Sequence, residues 1–176
     1  MLDLLIRNAV VVDGSGNEPF VSDVGVHQGR IVELDSTSRA AERVVDADGL
    51  TLAPGIVDLH THYDAQVTWD KVLSPSPALG VTTVVMGNCG FGIAPNRPAV
   101  QDLILRNLSV VEGMDLEALR CGVDWRFQSF PEYLEALRKI GPYPNVAVFA
   151  GHSVIRRAVM GSDASVRDVP TTAELA

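Results

Sequence analysis

The sequence reads as an α/β protein: a short all-β region, then the first three strands of an incomplete TIM-like (β/α)8 barrel. Three observations carry this reading. Residues 1 to about 53 are short apolar runs broken by tight-turn dipeptides such as Gln28-Gly29 and Asp48-Gly49. From Pro54 onward the pattern changes to strand, loop and helix with longer connections. Within that second stretch, three apolar runs end in polar or metal-capable side chains, which is where parallel α/β folds place their chemistry.

In the first stretch, Leu4 to Arg7 and Ala9 to Asp13 open a small antiparallel sheet. Val24 to His27 and Arg30 to Leu34 form a hairpin around Gln28-Gly29, and Val44 to Asp46 leads through Asp48-Gly49 to Leu50, Thr51 and Leu52. His27 lies beside a turn, and a polar surface role accounts for it. After the Pro54-Gly55 turn, Ile56, Val57 and Leu59 form an apolar run that predicts a buried strand. Val81 to Met86 is β-branched and does not alternate, as expected of a parallel strand covered on both faces. Asp102 to Val111 carries apolar residues at helical spacing, and Leu116 to Arg120 predicts a second, shorter helix. Ser129-Phe130-Pro131-Glu132 is a capping-box pattern with proline in the first turn, and Gly141 is the predicted stop. Val146 to Ala150 is the third strand, tipped by Gly151-His152-Ser153.

The chain has 176 residues and is 47% hydrophobic, enough for one core. Its net charge of −8 argues against nucleic acid or an anionic membrane surface as partner. The apolar start, Met1 to Ile6, is interrupted by Asp3 and followed by Arg7, the wrong shape for a signal peptide, and no later run is long enough to span a bilayer. Cys89 and Cys121 sit in dissimilar settings, so a disulfide framework is not expected and a reducing cytoplasm is the default location. Thr171 to Glu174 repeats a helix-start signal with only Leu175 and Ala176 after it. A closed barrel needs about 250 residues, so the expectation is the N-terminal portion of a larger enzyme.

The chemistry centres on Asp58-Leu59-His60-Thr61-His62-Tyr63-Asp64. On an extended backbone alternate side chains share a face, so His60 and His62 project together and can offer two imidazoles to one divalent ion. Two polar residues closing a strand is the competing reading. The acidic neighbours Asp58 and Asp64, and a third donor at Cys89 in the dense glycine run Gly87-Asn88-Cys89-Gly90-Phe91-Gly92, favour the metal. That glycine run lacks the Lys-Ser/Thr and the spacing of a nucleotide-phosphate loop. Asp58 and Asp64 either orient ligand imidazoles or serve solvated and capping roles. Asn88 is expected to fix the turn, His152 to take either a pocket or a plain structural role, and Cys121 to be inert.

Leu4-Leu5-Ile6-Arg7-Asn8-Ala9 and Ala53-Pro54-Gly55-Ile56-Val57-Asp58-Leu59-His60-Thr61-His62 resemble the opening of an amidohydrolase-superfamily enzyme. His62-Tyr63-Asp64-Ala65-Gln66, Trp69-Asp70, Leu73-Ser74-Pro75-Ser76, Gly80 to Gly92, Phe130-Pro131-Glu132-Tyr133-Leu134 and Gly151-His152-Ser153 narrow the resemblance to the N-acyl-D-amino-acid deacylases, or D-aminoacylases. The resemblance implies a zinc-dependent barrel, residues 54–176 here, with residues 1–53 forming the N-terminal part of a small β-sandwich. It implies Zn2+ as cofactor, His60, His62 and Cys89 as metal ligands, and a small-molecule N-acyl-D-amino acid as substrate. The family's catalytic aspartate and further histidines come from later strands beyond residue 176. The same resemblance leaves two rivals: a cyclic-amide hydrolase of the dihydroorotase or hydantoinase kind, which Cys89 disfavours, and a non-catalytic truncated fragment that self-associates through an uncovered barrel edge.

Overall fold

The computed structural model describes residues 1–35 and 37–175. Ala176, the last residue of the expected barrel segment, lies outside them. The chain forms two compact units, Met1–Pro54 and Gly55–Ala176.

The first unit is a five-stranded sheet of β1 (Leu2–Val11), β2 (Phe20–His27), β3 (Arg30–Glu33), β4 (Ala41–Asp46) and β5 (Thr51–Leu52). β1 is one strand where the sequence suggested two. Asn8, at a positive φ of 55°, marks an irregularity in its pairing with β2 between Ile6 and Ala9. Gln28 and Gly29, both at positive φ, make the expected β2–β3 hairpin. The sheet is not antiparallel throughout: β4 and β5 both run parallel to β1, on the edge opposite β2. Asp48-Gly49 is therefore a jog between two strands beside β1, not a hairpin turn. Both of its residues have positive φ, and Gly49 N–H donates to Asn8 O. Ala9, Val11 and Val24 form the small core of this unit, with Ile6, Ala47 and Leu52 against it.

The second unit is a parallel sheet, β6 (Ile56–Asp58), β7 (Val81–Met86) and β8 (Asn145–Val148), in the order β6-β7-β8. Among the described residues it is an open three-stranded sheet and not a closed barrel. Helices α1 (Gln101–Glu112), α2 (Leu116–Gly122) and α3 (Phe130–Ile140) lie between β7 and β8 in sequence, and α4 (His152–Met160) and the short α5 (Thr172–Leu175) follow. The main core joins Val84 and Met86 of β7 to Ile104, Leu105 and Leu108 of α1, Leu119 of α2, and Tyr133 and Leu137 of α3. One turn of sequence periodicity thus becomes one packed face: the α1 stripe buries Ile104, Leu105 and Leu108 and leaves Val110 in solvent.

Two expectations about strands are corrected. β6 is an edge strand, with Ile56 and Val57 more than half exposed and Leu59 beyond it at 69%. Apolar composition signalled a strand to be covered, and no element among the described residues covers it. β7 is buried at Val81, Val84 and Met86, with Thr83 and Val85 half-buried and Thr82 exposed, so its cover is less complete than expected. Ser129 caps α3 in a full capping box with Glu132, and Gly141, at φ 61°, ends it in the left-handed conformation. The reading of Gly151-His152-Ser153 as a plain strand tip missed α4. Gly151 is its N-cap, and His152 and Ser153 are its first two helical residues.

Candidate metal centre

The site is built where β6 and β7 end. Just past β6, Thr61 straps the chain to β7, its N–H and its hydroxyl both donating to Val85 O at 3.0 and 2.8 Å. Asp58 accepts the backbone N–H of His60 at 3.1 Å, so its carboxylate shapes the turn into the His-x-His stretch. With Thr61 turned inward and buried, His60 and His62 flank it, their ring centroids 5.2 Å apart.

Past β7 the backbone curls through Gly87 (φ 78°), Asn88, Cys89 (φ 56°) and Gly90 (φ 77°). A side chain on Gly87 would meet Phe149 O at 2.3 Å, so only glycine lets the β7 and β8 tips approach this closely. Cys89 holds a left-handed backbone without being glycine, a conformation that costs roughly 1–2 kcal/mol and that persists where the surroundings impose it. Asn88 behaves as a turn-fixing residue: its amide donates to Val85 O at 2.8 Å and to Thr61 O at 3.3 Å, tying both strand ends together.

This turn brings Cys89 Sγ to 3.3 Å from His60 Nε2. One donor atom from each of His60, His62 and Cys89 lies within 4.8 Å of the others, and this is the one such group of metal-capable side chains among the described residues. Zn–N and Zn–S bonds of about 2.0–2.3 Å at tetrahedral angles put donor atoms roughly 3.3–3.8 Å apart. The spacing is therefore within a small side-chain adjustment of a coordination sphere, and imidazole with thiolate is a donor set that suits zinc.

Asp64 and Glu112 stand behind these donors. Asp64 is buried, and its carboxylate accepts Gly87 N–H at 3.0 Å, tying the segment after His62 to the turn that carries Cys89. Burial pushes its carboxyl up to about 7, with the Glu112 charge adding to the rise and the backbone hydrogen bonds opposing it. Tyr133 of α3 donates its hydroxyl to Asp64 O at 2.9 Å, both groups being buried. Burial raises the Tyr133 hydroxyl well above the ordinary tyrosine range, so it remains a donor.

Glu112, the last residue of α1, was not singled out in the sequence. Its Oε1 lies 3.0 Å from His62 Nδ1 without the alignment of a hydrogen bond. Burial pushes its carboxyl above the usual range, while the nearby His62 and His60 pull it down. Its sequence signal was weak but physical: a carboxylate in the last turn of a helix, just before a glycine stop, where the helix dipole disfavours negative charge. An open cavity of about 360 Å³ is bordered by Asp58, His60, His62 and Glu112. His152, exposed at the start of α4, is not a member of the three-donor group. Cys121 is exposed on α2 and is likewise outside it.

Deacylases are among the known proteins that this chain resembles. The chain is 38% identical to the D-aminoacylase of Alcaligenes xylosoxydans xylosoxydans over 163 residues, 90% of this chain and 31% of that protein. It superimposes with a TM-score of 0.77 on a D-aminoacylase crystal structure said to define a novel subset of amidohydrolases, at 34% identity over 99% of this chain and 34% of that one. An N-acyl-D-glutamate deacylase from Bordetella bronchiseptica, complexed with zinc and a phosphonate mimic of the tetrahedral intermediate, gives 0.77 at 32% identity over 98% of this chain and 34% of that one. The chain thus spans about a third of the length of these relatives. The profile of the amidohydrolase family matches residues 43–174, a range that takes in both strand tips of the site. The chain belongs to the amidohydrolase family.

Proposed function

We propose that these residues supply the first part of the metal centre of a zinc-dependent hydrolase that cleaves the linear amide bond of N-acyl-D-amino acids. The observation that carries the reading is the convergence of His60, His62 and Cys89 within 4.8 Å at the tips of β6 and β7. These three residues would hold the ion, which supplies Lewis acidity toward the amide carbonyl and toward water. The protein's part is positional. Thr61 and Asn88 lock the two strand ends together, and Asp64 holds the Gly87 turn so that Cys89 faces His60. The open sheet β6-β7-β8 is read as the first three strands of a (β/α)8 barrel, in support of which stands the match to D-aminoacylase structures. Residues 1–53 are then read as the N-terminal part of a small β-sandwich.

The relatives named above act on N-acyl-D-amino acids by their names, and the substrate class comes from them. No helix among the described residues is long and apolar enough to cross a bilayer. A reducing compartment, the cytoplasm, would keep Cys89 a free thiol. The 176 residues alone, at about a third of the relatives' length, are inactive in this reading, and their exposed Ile56, Val57 and Leu59 favour self-association.

The test uses the gene product that carries these residues, loaded with Zn2+, beside the isolated 176-residue chain. The gene product is expected to release the free amino acid from N-acetyl-D-amino acids and to leave the L enantiomers and cyclic amides intact. The isolated chain is expected to release none. Turnover of cyclic amides in preference to the D-substrates sinks the proposal.

A further inference from the structure

We infer that Glu112 is a positioning residue for His62, its carboxylate accepting a proton-bearing Nδ1 so that Nε2 is the ring nitrogen left for the ion. The inference rests on the metal reading of His60, His62 and Cys89 and deepens it. Three observations carry it. Glu112 Oε1 stands 3.0 Å from His62 Nδ1, and both side chains are only 16% exposed. Each of the two atoms is buried and has no hydrogen-bond partner among the described residues, while the ion-pair contact sets them beside each other. Leaving such a pair unmade in a buried place is costly, and a small rotation of the imidazole or carboxylate makes it.

The third observation is the placing of the acid. Glu112 closes α1 ahead of Gly113, at the negative end of the helix dipole, and no basic residue occupies that last turn. Helix stability alone would favour a cation there. The carboxylate is instead directed at an imidazole 50 positions earlier in the chain, an arrangement that has a use at a metal. A ring nitrogen that donates to a carboxylate fixes the tautomer, aims the opposite nitrogen and makes it a stronger ligand. His60 differs, because its Nε2 already faces the Cys89 sulfur at 3.3 Å. The two histidines are thus held by different means: His60 through the backbone turn made by Asp58, His62 through its own side-chain partner on α1.

The test has two readouts, one of them independent of metal. In the metal-free chain, carrying 15N-labelled histidine and held at about pH 8, above the ordinary histidine range, His62 is expected to show the Nδ1–H tautomer. E112A should abolish that preference. E112Q keeps an acceptor oxygen but loses the charge, so the tautomer should persist while the Nδ1 resonance moves. With Co2+ as probe, E112A is expected to weaken binding by about 10–100-fold and E112Q by less. A His62 with the same tautomer and resonances in E112A as in the unaltered chain overturns the inference. Should E112A fail to fold, an unmoved Nδ1 resonance in E112Q does the same. An unaltered chain that takes up no Co2+ overturns the metal reading instead, and the metal-free spectra still decide whether the contact exists.

Discussion

Gly87→Ala is the perturbation that ties the fold to the site most tightly. Gly87 has φ 78°, and a Cβ there would stand 2.3 Å from Phe149 O, against a floor of about 3.0 Å for real Cβ contacts. The Phe149 carbonyl would have to retreat by about 0.7 Å, yet the Phe149 N–H is bonded to Met86 O at 2.9 Å, one residue before Gly87. The left-handed backbone costs roughly 1–2 kcal/mol for a residue with a side chain, and overpacking adds about 1–3 kcal/mol. G87A is therefore expected to lose about 2–5 kcal/mol of unfolding free energy. Gly141→Ala is the matched control, because Gly141 also has positive φ (61°) but nothing within 4 Å of the added atom. It should lose the backbone cost alone. Urea unfolding of the two variants, followed by circular dichroism, measures the difference. Equal losses in both would refute the claim that close approach of the β7 and β8 tips, and not turn geometry, demands glycine before Cys89.

Two further outcomes follow from the groups behind the donors. Tyr133→Phe removes the hydroxyl that serves Asp64 O and leaves a buried carbonyl unpaired, so a loss of about 1–3 kcal/mol is expected in the same unfolding assay; a loss below about 0.5 kcal/mol would show that the bond is not made. Asp64 keeps its proton in the folded chain up to about 7, whereas the free carboxyl releases it near 3.8. The folded state therefore binds the extra proton between those values, and in the presence of a chelator stability should be fullest below the lower one and decline as pH rises through about 7. The decline amounts to at most about 4 kcal/mol. Asp64→Asn, which cannot ionise, should flatten that slope, and an unchanged slope contradicts the assignment.

Local signals made much of this chain legible before any coordinates. The capping box at Ser129, the stop at Gly141, and the Gln28-Gly29 hairpin depend only on neighbours in sequence, and such features survive whatever the tertiary context. The His-x-His pair and the glycine-dense turn at Cys89 are equally local, and the structure brings their side chains together. What escaped was set by distant partners. The parallel course of β4 beside β1 depends on which edge the chain returns to, and no residue between Ala41 and Asp46 encodes that choice. The exposure of β6 reflects what covers the strand, not what composes it. Glu112 reads as one more helical acid until α1 is packed, because its partner His62 is 50 positions away. Asp58 and Asp64 were recognised as acidic neighbours of the histidines, yet both carboxylates accept backbone N–H groups, a choice that only the turn geometry reveals.

X-ray absorption at the zinc edge addresses the convergence of His60, His62 and Cys89 without reference to any substrate. The Zn2+-loaded chain is expected to show one sulfur scatterer at about 2.3 Å and at least two imidazole nitrogens at about 2.0–2.1 Å, with the sulfur lost in Cys89→Ser. Zinc bound with no sulfur in its shell, or a sulfur signal that survives in Cys89→Ser, would contradict the account.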